Sequence, residues 1–144
     1  MGTIQLELGA RRVMVDTSGW KALLDEKDAN HQKARLAWQE ILQQGCRLET
    51  SDYICAETIT LFRSRLGHRA AKRVGQGILS SELLAVHHLT PEVWRRAWEI
   101  FQRLADKNLS FVDCTSFALM QHLGISHVFS FDKRFEEEGF QRIP

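Results

Sequence analysis

The chain has 144 residues, of which 44% are hydrophobic and 26% charged, with a formal net charge of +1 at pH 7. That length predicts a single domain over residues 1–144, large enough to bury a core without staples. The composition excludes wholesale disorder, collagen and a coiled-coil rod, and near-neutrality means that any affinity for nucleic acid must come from local charge asymmetry.

In chain order, residues 1–11 read as an extension in which Ile4, Leu6 and Leu8 alternate with polar residues, a strand pattern. Val13-Met14-Val15 is a short apolar strand ending in Asp16. Ala34, Ala37, Trp38, Ile41 and Leu42 recur at helical spacing, which predicts a helix over 29–44 stopped by Gly45. Residues 47–50 follow as a strand. Ser51 is the N-cap of a helix over 52–66 that Gly67 ends, and a weaker helix covers 68–80. Residues 83–89 read as a strand. Thr90 and Pro91 start a helix running to about Lys107, with Trp94, Trp98, Phe101 and Ala105 on one stripe. Ser110 caps a helix over 111–123, residues 128–131 form a strand ending in Asp132, a helical turn covers 133–138, and residues 140–143 make an edge strand. Strands separated by helices predict βαβ units and a mostly parallel sheet in an α/β sandwich.

No run of 18 apolar residues is present and the first residues show no signal-peptide pattern. Cys46, Cys55 and Cys114 are odd in number and lack metal-ligand spacing, so they read as small buried thiols of a reducing compartment. The expectation is a cytoplasmic protein that engages no membrane.

Four acids carry the chemical signal. Asp16 and Asp132 lie just past the C-terminal ends of apolar strands, the edge at which open parallel sheets bind ligands. Glu57 shares a helix face with Ile54 and Leu61, and Asp113 is followed at helical spacing by Phe117 and Met120. An acid on an apolar face is costly unless paired or metal-bound. Each has a plainer reading: Asp16 as an N-cap, Asp113 as the far end of a capping box with Ser110, Asp132 as a turn residue. Nothing in a mid-helix apolar stripe calls for Glu57. If strands 13–15 and 128–131 are neighbours, one arrangement explains all four. Unit charges 4 Å apart repel by about 4 kcal/mol at an effective dielectric near 20, so such a cluster calls for a cation. All-oxygen ligation favours Mg²⁺ or Mn²⁺.

The segments Val15-Asp16-Thr17-Ser18, Ala56-Glu57-Thr58, Leu109-Ser110-Phe111-Val112-Asp113 and Ser130-Phe131-Asp132-Lys133-Arg134-Phe135 together resemble the PIN domain family, especially its VapC-like toxins, over residues 12–142. The resemblance implies a Rossmann-like three-layer α/β sandwich and a metal-dependent endoribonuclease, the toxin of a toxin–antitoxin pair. It implies Asp16, Glu57, Asp113 and Asp132 as catalytic, metal-binding acids, Ser18 and Ser130 as polar helpers, Mg²⁺ or Mn²⁺ as cofactor, and RNA, a small antitoxin and a second copy of the chain as partners. A further acid that some relatives carry just after Asp113 is replaced by Thr115 and Ser116, which speaks against a tightly held second ion.

Residues 63–73 hold Arg63, Arg65, Arg69, Lys72 and Arg73 with no acid. They read as RNA phosphate contacts rimming the acidic site, against a plain solvated helix face or a surface for an acidic antitoxin segment. Trp94, Trp98 and Phe101 read as a core stripe rather than a stacking platform, Trp38 likewise, and Trp20 as the aromatic bordering the cleft. The competing function is a PIN-like module that holds RNA or protein without cleaving. A phosphate-binding receiver or dinucleotide fold is disfavoured, since no GxGxxG follows the first strand and no Gly-Lys-Ser/Thr loop is present.

Overall fold

The computed structural model describes residues 12–105 and 107–144; the strand expected around Ile4, Leu6 and Leu8 lies outside them. The elements run β1 (Arg12–Val15), α1 (Thr17–Leu24), α2 (His31–Gln43), β2 (Arg47–Ser51), α3 (Asp52–Leu66), α4 (His68–Ser80), β3 (Leu84–His87), α5 (Pro91–Arg103), α6 (Phe111–Leu123), β4 (His127–Phe129), α7 (Arg134–Glu137) and β5 (Gln141–Ile143). Helices α3, α4 and α6 have the expected bounds. The helix expected to reach Lys107 ends at Arg103, and the strand expected over 128–131 spans 127–129.

The sheet order is β3-β2-β1-β4-β5 and every pairing is parallel. Alternation along β1 puts Val13 and Val15 on one face, Arg12 and Met14 on the other. Phe129 is in register with Val15 and packs on Trp38 of α2. On the opposite face Arg12 donates to the carbonyl of Leu123, in α6. Helices therefore cover both faces, giving the three-layer α/β sandwich, with Val13, Met14, Val15, Val128 and Phe129 at its centre and fully buried.

The second face also holds a polar cluster that sequence reading did not single out. Glu49, only 1% exposed, accepts from Arg12 Nε at 2.5 Å and Nη2 at 2.7 Å, and His87 Nε2 lies 2.8 Å from its Oε1. Met14 and Ala85 flank Glu49 in register, so Arg12 and His87 are its diagonal neighbours. Burial acts to raise the Glu49 pKa, but these partners outweigh it and hold the carboxyl below its ordinary value.

One expectation about α5 is corrected. Its buried stripe is Val93, Ala97 and Ile100, whereas Trp94, Trp98 and Phe101 are 42%, 43% and 38% exposed. Both stripes fit a helical period, and the helix is turned by one residue, about 100°. The smaller side chains fit against α6, and the aromatic rings lie over Phe111 at its start, with centroids 5.1–6.4 Å away. Trp20 is corrected too: it is buried, packs on Trp38, and lines an apolar groove with Phe62, Val74 and Leu84 rather than the acidic cleft. Cys55 and Cys114 are buried as expected; Cys46 is half-buried. Among the described residues no helix is long and apolar enough to cross a membrane.

Candidate active site

β1 and β4 are hydrogen-bonded neighbours, so their C-terminal ends deliver Asp16 and Ser130 side by side; Asp16 N–H donates to the Phe129 carbonyl at 3.1 Å. The chain turns directly from β1 into α1 with Asp16 as N-cap. This tight passage depends on Gly19, where a Cβ would stand 2.4 Å from the Phe129 oxygen. Three hydrogen bonds converge on Asp16 Oδ2: from Ser18 Oγ at 2.9 Å, Ser130 Oγ at 3.0 Å and Ser18 N–H at 3.4 Å. Ser18 Oγ also accepts from Phe131 N–H, and Ser130 Oγ from Asp132 N–H. The two serines thus tie the start of α1 to the loop after β4.

Asp113 enters from the first turn of α6. It completes a capping box, with Asp113 N–H donating to Ser110 Oγ at 3.1 Å and Ser110 N–H to Asp113 Oδ2 at 3.0 Å. Glu57 comes from the second turn of α3 and Asp132 from the turn leading into α7. All four acids line one open cleft of about 620 Å³, with Ser18, Ser110, Lys21, Arg65 and Arg134. The capping and turn readings of Asp16, Asp113 and Asp132 are also correct. The N-termini of α1 and α6 point at the cleft, so the positions that cap a helix are the positions that line the site, and the helix dipoles favour negative charge there.

The electrostatics divide the acids. Burial pushes Asp16 up to about 6, hydrogen bonds from Ser18 and Ser130 opposing the rise and the charge of Asp113 adding to it. Burial raises Glu57 as well, against a hydrogen bond from Thr17 and with the help of Asp113. For Asp132 burial acts upward but is outweighed, and Arg134 holds the carboxyl below its ordinary value. Arg134 Nε and Nη2 lie 2.9 and 2.7 Å from the two oxygens of Asp132, and Nη2 lies 3.5 Å from Asp113 Oδ2. Sequence reading quoted Arg134 within a motif but gave it no role; its position two residues after Asp132, at the start of a helical turn, was the available signal. The neighbouring thiol, Cys114, is pushed up to about 11 by burial and by the charges of Asp113 and Glu138, so it is not a nucleophile at neutral pH.

The basic residues are not gathered on one rim. Arg65, at the end of α3, lines the cleft. Arg73 lines the apolar groove beside Trp20 instead. Arg63 pairs with His68 across the α3–α4 junction, and Arg69 and Lys72 are exposed on α4.

A strand-end acidic cleft on a parallel three-layer sandwich is the plan of a PIN domain, and the PIN domain family matches residues 13–140. The chain belongs to that family. It is 37% identical, over 91% of its length and 97% of the relative's, to the 23S rRNA-specific endonuclease VapC20 of Mycobacterium tuberculosis, in both strain CDC 1551 / Oshkosh and strain ATCC 25618 / H37Rv. The crystal structure of Mycobacterium tuberculosis VapC20, described as a sarcin–ricin-loop-cleaving toxin, superposes with a TM-score of 0.82 at 38% identity, covering 89% of this chain and 95% of that one.

Proposed function

We propose that this protein is a divalent-metal-dependent endoribonuclease that hydrolyses RNA phosphodiester bonds, a toxin held in check by a small antitoxin partner. The observation that carries the reading is the convergence of Asp16, Glu57, Asp113 and Asp132, from four separate elements, on one cleft. The donor set suits Mg²⁺ or Mn²⁺: it is all oxygen, carboxylate and hydroxyl. Among the described residues no three acid, histidine or cysteine side chains stand close enough to enclose an ion unaided. A Mg²⁺-type ion would keep several waters and need only one or two carboxylates from the chain.

Asp16, Glu57, Asp113 and Asp132 are the carboxylates that would hold such an ion, directly or through its waters. A bound ion supplies positive charge at the scissile phosphate and makes water a stronger nucleophile near neutral pH. Ser18 and Ser130 fix the orientation of Asp16. We assign Glu57, kept easier to protonate by its burial, to accept a proton from the attacking water. Arg65, on the wall of the cleft, is the basic residue best placed to meet a backbone phosphate. We assign Arg63, Arg69, Lys72 and Arg73 to longer-range attraction of RNA.

The relative's substrate supplies the first RNA to try: a 23S rRNA fragment containing the sarcin–ricin loop, beside a mixed single-stranded pool. Wild type is expected to cleave with Mg²⁺ or Mn²⁺ and not with chelator. Asp16→Asn and Asp113→Asn are expected to cut at least about 100-fold more slowly, the scale of losing one pre-placed transition-state charge contact, while still binding the RNA. Binding without cleavage by wild type under all conditions would overturn the nuclease reading in favour of a non-cleaving module.

A further inference from the structure

The acidic cleft carries a cation of its own. Arg134 grips both oxygens of Asp132, at 2.9 and 2.7 Å, and reaches within 3.5 Å of Asp113. Its charge interacts with Asp16 as well, so one guanidinium serves three of the four acids. The grip is built into the local chain: Arg134 N–H also donates to Asp132 Oδ1 at 3.0 Å, so the turn that presents Asp132 presents Arg134 with it. The side chain is about one-third exposed and lines the cleft. The remaining cations lining the cleft are differently placed. Lys21 is paired with Asp25 at 2.5 Å and Asp28 at 3.3 Å, and Arg65 sits on the α3 wall.

A guanidinium cannot be deprotonated at any ordinary pH. Asp132 and Asp113 therefore face a permanent positive charge that a divalent ion must share or displace. We propose that Arg134 is a positioning residue that acts as a resident counter-cation. It holds the acid cluster together and competes with the divalent ion for Asp132 and Asp113, so it lowers the ion affinity of the cleft. The proposal rests on the reading of the cleft as a metal site. It differs from a purely structural latch in the sign of its effect. A latch that merely orients Asp132 for the metal would weaken ion binding when removed; a competing cation strengthens it.

The experiment is Mn²⁺ binding to the purified full chain by calorimetry and by electron paramagnetic resonance, with melting curves in chelator and in Mn²⁺. Arg134→Met, which keeps most of the stem and removes the charge, is expected to bind Mn²⁺ at least about tenfold more tightly, the lower bound that near-bulk solvent screening sets on repulsion between a divalent ion and a unit charge a few ångströms away. The same variant is expected to melt lower than wild type in chelator and to gain more from Mn²⁺. Arg134→Lys keeps the charge without the fork and is expected to stay within about threefold of wild type; it also serves if the methionine variant folds poorly. Equal or weaker Mn²⁺ binding by Arg134→Met, with loss of binding in Asp113→Asn, overturns the role of Arg134 alone. Wild-type Mn²⁺ binding that survives Asp113→Asn unchanged places the ion elsewhere and overturns the metal reading of the cleft together with this proposal.

Discussion

Asp16 shows how much one side chain's surroundings decide. Its carboxyl is buried at the start of α1 and is pushed up to about 6 from 3.8. A folded-state pKa above the unfolded one means that the folded chain holds the proton more tightly. The stability this group contributes is then fully present below about 3.8 and is lost as pH rises through about 6. At about 1.4 kcal/mol per tenfold the loss is on the order of 2–3 kcal/mol. Urea midpoints measured in chelator at pH 4, 5, 6 and 7 should therefore fall more steeply for wild type than for Asp16→Asn, the two curves separating between pH 4 and 6; parallel curves would show that Asp16 titrates normally. Glu49 is the opposite case, a buried acid that ordinary hydrophobic patterning would place as an error. Removing one partner of a buried pair costs about 3–5 kcal/mol. Arg12 is one-third exposed and His87 remains, so Arg12→Ala should destabilise by about 3 kcal/mol in urea unfolding. Arg12→Met combined with Glu49→Leu should recover most of that, because no charge is then left buried.

At the scale of elements, the passage from β1 into α1 and the start of α6 do two jobs with the same residues. Asp16 and Asp113 each satisfy backbone donors at a helix N-terminus, and each faces the cleft because those N-termini do. Gly19 permits the first of these. An alanine Cβ would meet backbone, the Phe129 carbonyl oxygen at 2.4 Å, and not the yielding end of a side chain. Over-packing of this kind costs about 1–3 kcal/mol. Gly19→Ala should sit at the upper end in urea titrations and should slow cleavage, because α1 cannot lift away from β4 without breaking the Ser18 and Ser130 bonds to Asp16. A glycine in Asp-Thr-Ser-Gly reads as nothing in particular along the chain; the constraint exists only once α1 is laid against β4. Arg134 was missed for the same reason: along the sequence it is one more charge in a short polar helical turn. The aromatic stripe of α5 failed in a different way. Periodicity fixes which residues share a face, but two faces one residue apart are both periodic, and the choice between them belongs to the packing partner. Small Val93 and Ala97 suit the close approach of α6, and the three large rings do not.

For the whole molecule, the proposed ion site would make stability and ion binding one equilibrium. An ion that binds the folded state alone stabilises it by mass action, about 2.7 kcal/mol at one hundred times its dissociation constant. Mn²⁺ should therefore raise the melting temperature of wild type in a concentration-dependent way. Asp113→Asn should lose most of the shift, and chelator should return wild type to its starting value; an equal shift in the variant would mean that the ion sits outside the cleft. The sequence by itself determined the alternation of strands and helices, most helix ends, and the positions of four acids, of which only Glu57 has no capping or turn role, because caps, glycine stops and apolar spacing are local properties of the chain. It could not determine how those acids meet. The parallel register of β1 and β4, the approach of α1 at Gly19 and the reach of Arg134 to Asp113 all join residues far apart in sequence. Such contacts are set by packing and charge in three dimensions, and only the tertiary structure decided them.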